Sequence, residues 1–226
     1  MSGAAADRGL VLALETSTRT PALAVARGPR TLVQTLAAAR AHAADLLPAL
    51  ERMLGELGAS PRELALIVVG TGPGSYTGLR VGAAIALGLA RASGARLCGV
   101  PSFEAAAYEQ LRPGEEGLVL QDARAGELYV ARYRRTEQQL EVLLAPEVTR
   151  AGELATATLG TTVVLADDAA LAAAALASPA RPHCVRSATP TAAALLELGR
   201  ARAACGAFGS VEPLYLRPFA MRSQRR

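Results

Sequence analysis

Residues 64–91 read LALIVVGTGPGSYTGLRVGAAIALGLAR, and this stretch decides the fold. The apolar run at 64–69 predicts a buried strand, and residues 77–91 predict a helix. Three glycines within residues 70–74 permit positive φ angles and a close backbone approach in the turn between them. The hydroxyl of Ser75 or Thr77 is suited to cap the first helical turn. The stretch therefore predicts a strand, a tight glycine-rich turn and a helix.

The helix of residues 77–91 is apolar nearly all round, with arginine only near its ends. A surface helix normally has one polar face, so its second side needs a cover from this chain or from another protein. Gly78, Gly82, Ala86 and Ala90 recur every four residues, a stripe that lets another backbone come close. Because large bare apolar patches mark interfaces, the pattern favours an intermolecular contact. On this interpretation Gly82→Arg abolishes partner binding and leaves the monomer folded.

The order of predicted elements repeats along the chain. The first unit has the order βββαβαβα and ends at a linker-like patch at 113–117. The same order then begins again. The second copy includes predicted helices at 151–158, 168–177 and 191–205. The two halves share no visible sequence similarity, so the duplication is inferred from element order alone. It predicts an α/β protein of two related subdomains, residues 1–110 and a smaller 111–226.

Composition excludes several kinds of chemistry. The chain of 226 residues has a net charge of +4 and contains no lysine, which rules out Schiff-base catalysis and a P-loop. The glycine turn does not match the dinucleotide-binding pattern either, so we interpret it as a packing turn. The longest apolar run, about ten residues, is too short to cross a bilayer. Three cysteines without metal-type spacing fit a reducing compartment, and we expect a soluble cytoplasmic protein.

Candidate catalytic groups are few, and each has an ordinary structural explanation. His42 lies near Asp45, but no nucleophile motif accompanies them. The acidic pair 167–168 is explained by helix capping, and Asp122 with Glu127 by a hairpin turn. Glu15, at the end of the first strand, has the best position for an acid in a cleft. No metal site and no cofactor are predicted from these residues.

The arginines of the last ten residues form a basic tail. Such a tail can contact RNA or an acidic partner, but a solvated terminus explains it as well. No aromatic stacking platform accompanies the tail, so RNA recognition by this chain alone looks weak.

Several segments resemble the TsaB (YeaZ) family. They are LALETST at 12–18, His42 followed by LLP at 46–48, GPGSYTGLR at 72–80, VPSFEA at 100–105, DAR at 122–124 with ELY at 127–129, and YLR at 215–217. The resemblance runs from about residue 10 to 217. The glycine segment is highly specific, whereas residues 145–205 carry little that is diagnostic.

The resemblance implies an actin/Hsp70-like (ASKHA, ribonuclease-H-like) fold and a non-catalytic scaffold. Such a subunit dimerises with a TsaD-like catalytic paralogue, works with a TsaE-like ATPase, and forms a homodimer when alone. The complex transfers a threonylcarbamoyl group to adenosine 37 of tRNA, and tRNA meets this chain only through the complex. The catalytic relatives carry two metal-binding histidines near the position where this chain has Ser102 and Ala106.

The resemblance also suggests site residues. The expected partner interface comprises His42, Leu46, Tyr76, Gly78, Leu79, Gly82, Ile85, Ala86 and Leu89. Candidates for nucleotide binding are Glu15, Thr16 and Ser17. The alternative function is an enzyme active on its own, either an actin-fold ATP-dependent phosphotransferase or a glycoprotease-like hydrolase.

Overall fold

The structure is a computed structural model that describes residues 9–36, 43–150, 153, 163–168, 171 and 184–217. In this part of the chain two five-stranded sheets are each flanked by helices.

The first sheet is built from strands near the start of the chain. It comprises β1 (Leu10–Glu15), β2 (Ala22–Arg27), β3 (Arg30–Thr35), β4 (Leu64–Gly70) and β5 (Arg96–Val100), in the order β3-β2-β1-β4-β5. β1, β2 and β3 form an antiparallel meander, whereas β4 and β5 run parallel to β1. β1 is buried along its whole length, which explains its continuous apolar run.

The second sheet repeats this topology. It comprises β6 (Glu116–Arg124), β7 (Glu127–Arg135), β8 (Leu140–Arg150), β9 (Val163–Ala166) and β10 (Cys184–Ser187), in the order β10-β9-β6-β7-β8. β6, β7 and β8 are again an antiparallel meander, and β9 and β10 are again parallel to the first strand. The duplicated architecture inferred from element order is therefore confirmed. The helices predicted at 151–158 and 168–177 lie outside the described residues, apart from residues 153, 168 and 171.

Four helices of the described residues cover the first sheet and one side of the second. They are α1 (Ala43–Glu56), α2 (Tyr76–Ser93), α3 (Ser102–Gln110) and α4 (Ala192–Ala204), and a short 3-10 turn occupies Pro61–Glu63. α1 and α2 share one core with the first sheet, and α4 packs on its opposite face. α3 lies between α4 and the second sheet, where Phe103 and Tyr133 share a core.

α4 packs on the first sheet although it follows the second sheet in sequence. Gly199 permits this contact, because a Cβ there would lie 2.2 Å from the Val68 side chain. Arg202 also holds α4 in place, since its guanidinium donates to the Gly99 carbonyl at 2.9 Å and to the Glu104 carboxylate at 2.7 Å. The division at residue 110 stays a prediction, and α4 is a part of 111–226 that contacts the first sheet.

The helices within the described residues include none that is long and apolar enough to cross a membrane.

Candidate functional site

The glycine-rich turn packs directly on the turn between β1 and β2. The Ser75 backbone N–H donates to the Ser17 carbonyl at 2.7 Å. Gly74 has a φ of +155°, and a Cβ there would lie 2.4 Å from the same carbonyl oxygen. Ser75 caps α2 by accepting from the Gly78 N–H at 3.2 Å, so of the two expected caps Ser75 is confirmed. Close packing between two turns explains the glycines.

The two glycines of the small-residue stripe of α2 face Thr16 of this same chain. A Cβ at Gly78 would lie 1.9 Å from the Thr16 carbonyl oxygen, and one at Gly82 would lie 2.3 Å from the Thr16 hydroxyl. Thr16 is itself only 1% exposed. The close backbone approach predicted from the stripe is therefore intramolecular. The expectation that Gly82→Arg leaves the monomer folded is corrected, because no arginine fits against a buried threonine there.

The residues expected at the partner interface differ in how deeply they are buried. Leu46, Leu79, Gly82 and Ala86 are buried within this chain and are not accessible to a partner. Tyr76, Gly78, Ile85 and Leu89 are partly exposed. His42 lies outside the described residues.

The outer face of α2 carries apolar residues that the pattern did not single out. Leu87 is 52% exposed, and its exposed neighbours Ala84 and Gly88 lie on the same side of the helix. On α1, Leu47 is 49% exposed. These residues, together with Ile85 and Leu89, form what we call the α1–α2 outer surface. The described part of the chain thus leaves one side of α2 without a cover, as its composition indicated.

Glu15 is fully buried rather than placed in an open cleft. Its Oε1 accepts from the Ser17 N–H at 2.7 Å, whereas Oε2 is buried without a hydrogen-bond partner in the described part of the chain. Burial raises the pKa of Glu15, and the polar groups of Ser17 and Ser102 offset only part of this effect. Of the three candidates for nucleotide binding, only Ser17 reaches the wall of a cleft. Glu15 and Thr16 are enclosed by protein.

Ser102 and Ala106 are also fully buried. The Ser102 hydroxyl accepts from the Gly72 N–H at 3.1 Å, which ties the start of α3 to the glycine turn. Ala106 packs in the core between α3 and the second sheet. Both side chains are therefore part of the packed interior of the protein. Across the described residues, no three His, Cys, Asp or Glu side chains come close enough to hold a metal ion.

A cleft of about 540 Å³ lies beside the N-terminus of α2. Its walls come from the β1–β2 turn, the glycine turn with the start of α2, the β6–β7 hairpin and the segment 214–217. At the hairpin, the Asp122 carboxylate accepts from the Arg124 N–H at 2.7 Å, and Glu127 forms an ion pair with Arg217 at 3.0 Å. Asp122 and Glu127, considered as a possible acidic pair, are thus engaged in a turn and an ion pair.

The segment 209–217 connects the two sheets at this cleft. The Gly99 N–H donates to the Gly209 carbonyl at 3.0 Å, and the Leu214 N–H donates to the Thr71 carbonyl at 2.8 Å. Arg217 then reaches the hairpin, where it also donates to the Ala123 carbonyl. Sequence reasoning missed this role because no hydrophobic periodicity marks the segment.

Comparison with known proteins assigns the chain to a family. A family model described as "TsaD: tRNA N6-adenosine threonylcarbamoyltransferase" matches residues 33–198, which is more than half of the chain. The chain belongs to this family. Its similarity to the relatives below assigns it to the TsaB (YeaZ) members.

Two curated proteins named "tRNA threonylcarbamoyladenosine biosynthesis protein TsaB" are similar to it. The Escherichia coli protein is 32% identical over 146 residues, covering 61% of this chain and 63% of the relative. The Haemophilus influenzae protein is 37% identical over 131 residues, covering 55% and 54%. The matched stretch thus spans little more than half the length of these relatives.

Solved structures of the same type share the fold of this TsaB-family chain. A Pseudomonas aeruginosa protein described as having similarity to peptidase YEAZ is 26% identical with a TM-score of 0.80, over 92% of this chain and 100% of its own. YeaZ from the same organism, at 24% identity and a TM-score of 0.78, shows the fold alone. The expected fold of two related α/β subdomains is confirmed.

Proposed function

We propose that this chain is a TsaB-type scaffold subunit. It binds a TsaD-like catalytic paralogue and, with a TsaE-like ATPase, takes part in threonylcarbamoyl transfer to adenosine 37 of tRNA. The names of its relatives support the reaction. The single observation that carries the scaffold role is the α1–α2 outer surface.

The α1–α2 outer surface has the character of a protein-binding face. Leu87 and Leu47 are each about half exposed, and Ile85 and Leu89 extend the apolar area toward the core of the first sheet. α1 and α2 share one core on the same side of the first sheet, and apolar residues left exposed on such helices typically mark an interface. The paralogue shares the fold, so a matching pair of helices on it would bury both surfaces together. The same surface would pair two copies when the paralogue is absent.

The positions that catalytic relatives use support a scaffold over an independent enzyme. Ser102 and Ala106 are enclosed in the protein core and present nothing to a substrate. Glu15 is enclosed as well, so a reaction that depends on this carboxylate would first require the glycine turn to move away. The cytoplasm is the proposed compartment, where the free Cys98, Cys184 and Cys205 would stay reduced.

A co-purification experiment with the TsaD-like protein of the same organism tests this proposal. Leu87→Arg places a charge at the more exposed of the two leucines of the outer surface and should weaken the complex by about 30-fold or more, as expected for a dominant interface contact. Val142→Arg is the matched control, because Val142 is 55% exposed on β8 in the second sheet. It should bind as the wild type does.

Two outcomes would contradict the proposal. One is a Leu87→Arg variant that is folded and still binds the paralogue with wild-type affinity. The other is ATP or peptide hydrolysis by the purified chain that Glu15→Ala abolishes, which would favour the enzyme alternative. Reconstituted threonylcarbamoyl transfer, assayed with and without this chain, measures the activating effect directly.

A further inference from the structure

Aromatic residues, which are scarce in this chain, are concentrated at the cleft beside α2. The whole sequence holds five tyrosines, three phenylalanines and no tryptophan. Three of those eight aromatic residues, Tyr76, Tyr129 and Tyr215, line this one cleft. They come from three separate elements: the start of α2, strand β7 and the segment 209–217. The fold therefore brings together aromatic rings that are far apart in sequence.

Two of the rings form a platform with an arginine. The Tyr76 and Tyr215 ring centroids lie 5.0 Å apart, and the Arg80 guanidinium lies 4.3 Å above the Tyr76 ring. Arg80 Nε also donates to the Tyr215 hydroxyl at 3.2 Å, which holds the platform in place. Tyr215 is nonetheless 44% exposed. An exposed, ordered ring is what a stacking ligand requires.

The cleft is also lined by cations. Arg19 on the β1–β2 turn and Arg124 on the β6–β7 hairpin are exposed, and Arg217 contributes a third guanidinium that is paired with Glu127. Asp122 is the one acidic residue among those that line the described cleft. The residues that line the cleft therefore carry a net positive charge next to the aromatic platform, and the Asp167 carboxylate, which does not line the cleft, interacts with Arg19. A backbone of phosphates matches this charge, and flat bases match the rings.

We propose that this cleft binds an unpaired stretch of RNA, with bases stacked on Tyr215 and its neighbours and with phosphates held by Arg19 and Arg124. The inference rests on the proposed function for the identity of that RNA as a tRNA. A cleft of about 540 Å³ has room for one or two nucleotides. This revises the expectation that the chain meets tRNA only through its partner, because the platform is assembled by the fold and leaves no aromatic run in the sequence.

Fluorescence anisotropy with a labelled 12-nucleotide single-stranded RNA and the purified chain tests the cationic half of the site. Arg19→Ser/Arg124→Ser should lower affinity about 10-fold or more and reduce the slope of log K against log salt by about 1.4, since each lost phosphate contact contributes about 0.7. Arg62→Ser/Arg150→Ser removes two exposed arginines outside the cleft and is the matched control. Equal effects of the two double variants would overturn the proposal.

A second pair of variants tests the aromatic half of the site. Tyr215→Leu should lower affinity about 5- to 100-fold, the range for losing one stacked base. Phe208→Leu is the control, because Phe208 is an exposed ring with the Arg96 guanidinium 4.6 Å above it, but it lies outside the cleft. Thermal unfolding of each variant shows that the fold is kept. An effect of Phe208→Leu as large as that of Tyr215→Leu would overturn the proposal.

Competition experiments distinguish the ligand class. A duplex of the same sequence, or ATP, should compete at least 10-fold less well than the single strand. Equal competition by ATP would overturn the RNA assignment in favour of a mononucleotide site, and equal competition by the duplex would show nonspecific charge binding. Because the assay uses the isolated chain, it is independent of partner binding. A failed co-purification with the TsaD-like protein and a failed RNA titration are therefore separate results.

Discussion

Three glycines of α2 meet different surroundings, so one substitution should have opposite effects along a single helix. Replacing a helical glycine by alanine stabilises a protein by up to about 1 kcal/mol when space is free. Gly88 has no atom within 4 Å of a built Cβ, so Gly88→Ala should stabilise by about this amount. At Gly78 the Cβ would lie 1.9 Å from the Thr16 carbonyl oxygen. Overpacking costs about 1–3 kcal/mol, and a backbone obstacle favours the upper end. Gly78→Ala should therefore destabilise by about 2 kcal/mol.

Gly82 provides a rescue test within the same helix. Here the nearest obstacle is the Thr16 hydroxyl, at 2.3 Å, rather than the main chain. Thr16→Ala removes that hydroxyl, so Gly82→Ala should be less costly in the Thr16→Ala background by about 1 kcal/mol or more. The same background should not rescue Gly78→Ala, because the carbonyl remains.

Urea denaturation measures all of these variants. The difference of about 3 kcal/mol between Gly78→Ala and Gly88→Ala corresponds to a midpoint difference of about 1 M or more. Equal midpoints for the two variants would refute the packing of α2 on Thr16. So would a Thr16→Ala background that rescues Gly78→Ala as fully as Gly82→Ala.

Three further predictions concern stability. Because burial raises the pKa of Glu15, its ionisation disfavours folding above pH 4.5. Glu15→Gln should therefore stabilise the protein by about 1–3 kcal/mol at pH 8 and by less near pH 5, as measured by denaturation at both pH values. The Arg186 guanidinium lowers the pKa of Glu115 to about 2, so this pair contributes stability that is present above pH 4.5 and lost as the pH falls through 2. Glu115→Gln should therefore lower the free energy of unfolding by about 1–2 kcal/mol at pH 7, after allowance for the partial exposure of the pair, and should have no effect near pH 2. Ala125 has a φ of +56° at the tip of the β6–β7 hairpin, so Ala125→Gly should raise stability by about 0.5–1 kcal/mol in thermal unfolding, and a loss would contradict this.

The architecture could be predicted from the sequence because it depends on local patterns. Apolar runs fixed β1 and β4, and their repeated order with the helices indicated a duplicated fold, which the matching strand orders of the two sheets confirm. The position of α4 could not be predicted in this way. Its return to the first sheet depends on Gly199 meeting Val68 and on Arg202 meeting Glu104, contacts between residues about 100 or more positions apart.

The candidate sites were less predictable for the same reason. The stripe of small residues on α2 correctly indicated close packing, but periodicity does not reveal which surface is packed. That surface is Thr16, a polar residue in a turn with no hydrophobic signal of its own. The cleft was invisible because Tyr76, Tyr129 and Tyr215 meet only when the chain has folded. The only relevant feature of the sequence was that aromatic residues are scarce in its composition.

The three faces of α2 have different tasks, and this explains why its sequence looks apolar all round. Its inner face needs glycine at 78 and 82 because Thr16 lies against these positions, and its outer face keeps Leu87 exposed for the proposed partner. Its N-terminal turn carries Tyr76 and Arg80 to the cleft. A substitution on one face should therefore leave the others intact only if the helix keeps its position on Thr16. For this reason the glycine series should be measured first: it establishes the position of the helix on which both the proposed partner surface and the proposed RNA cleft depend.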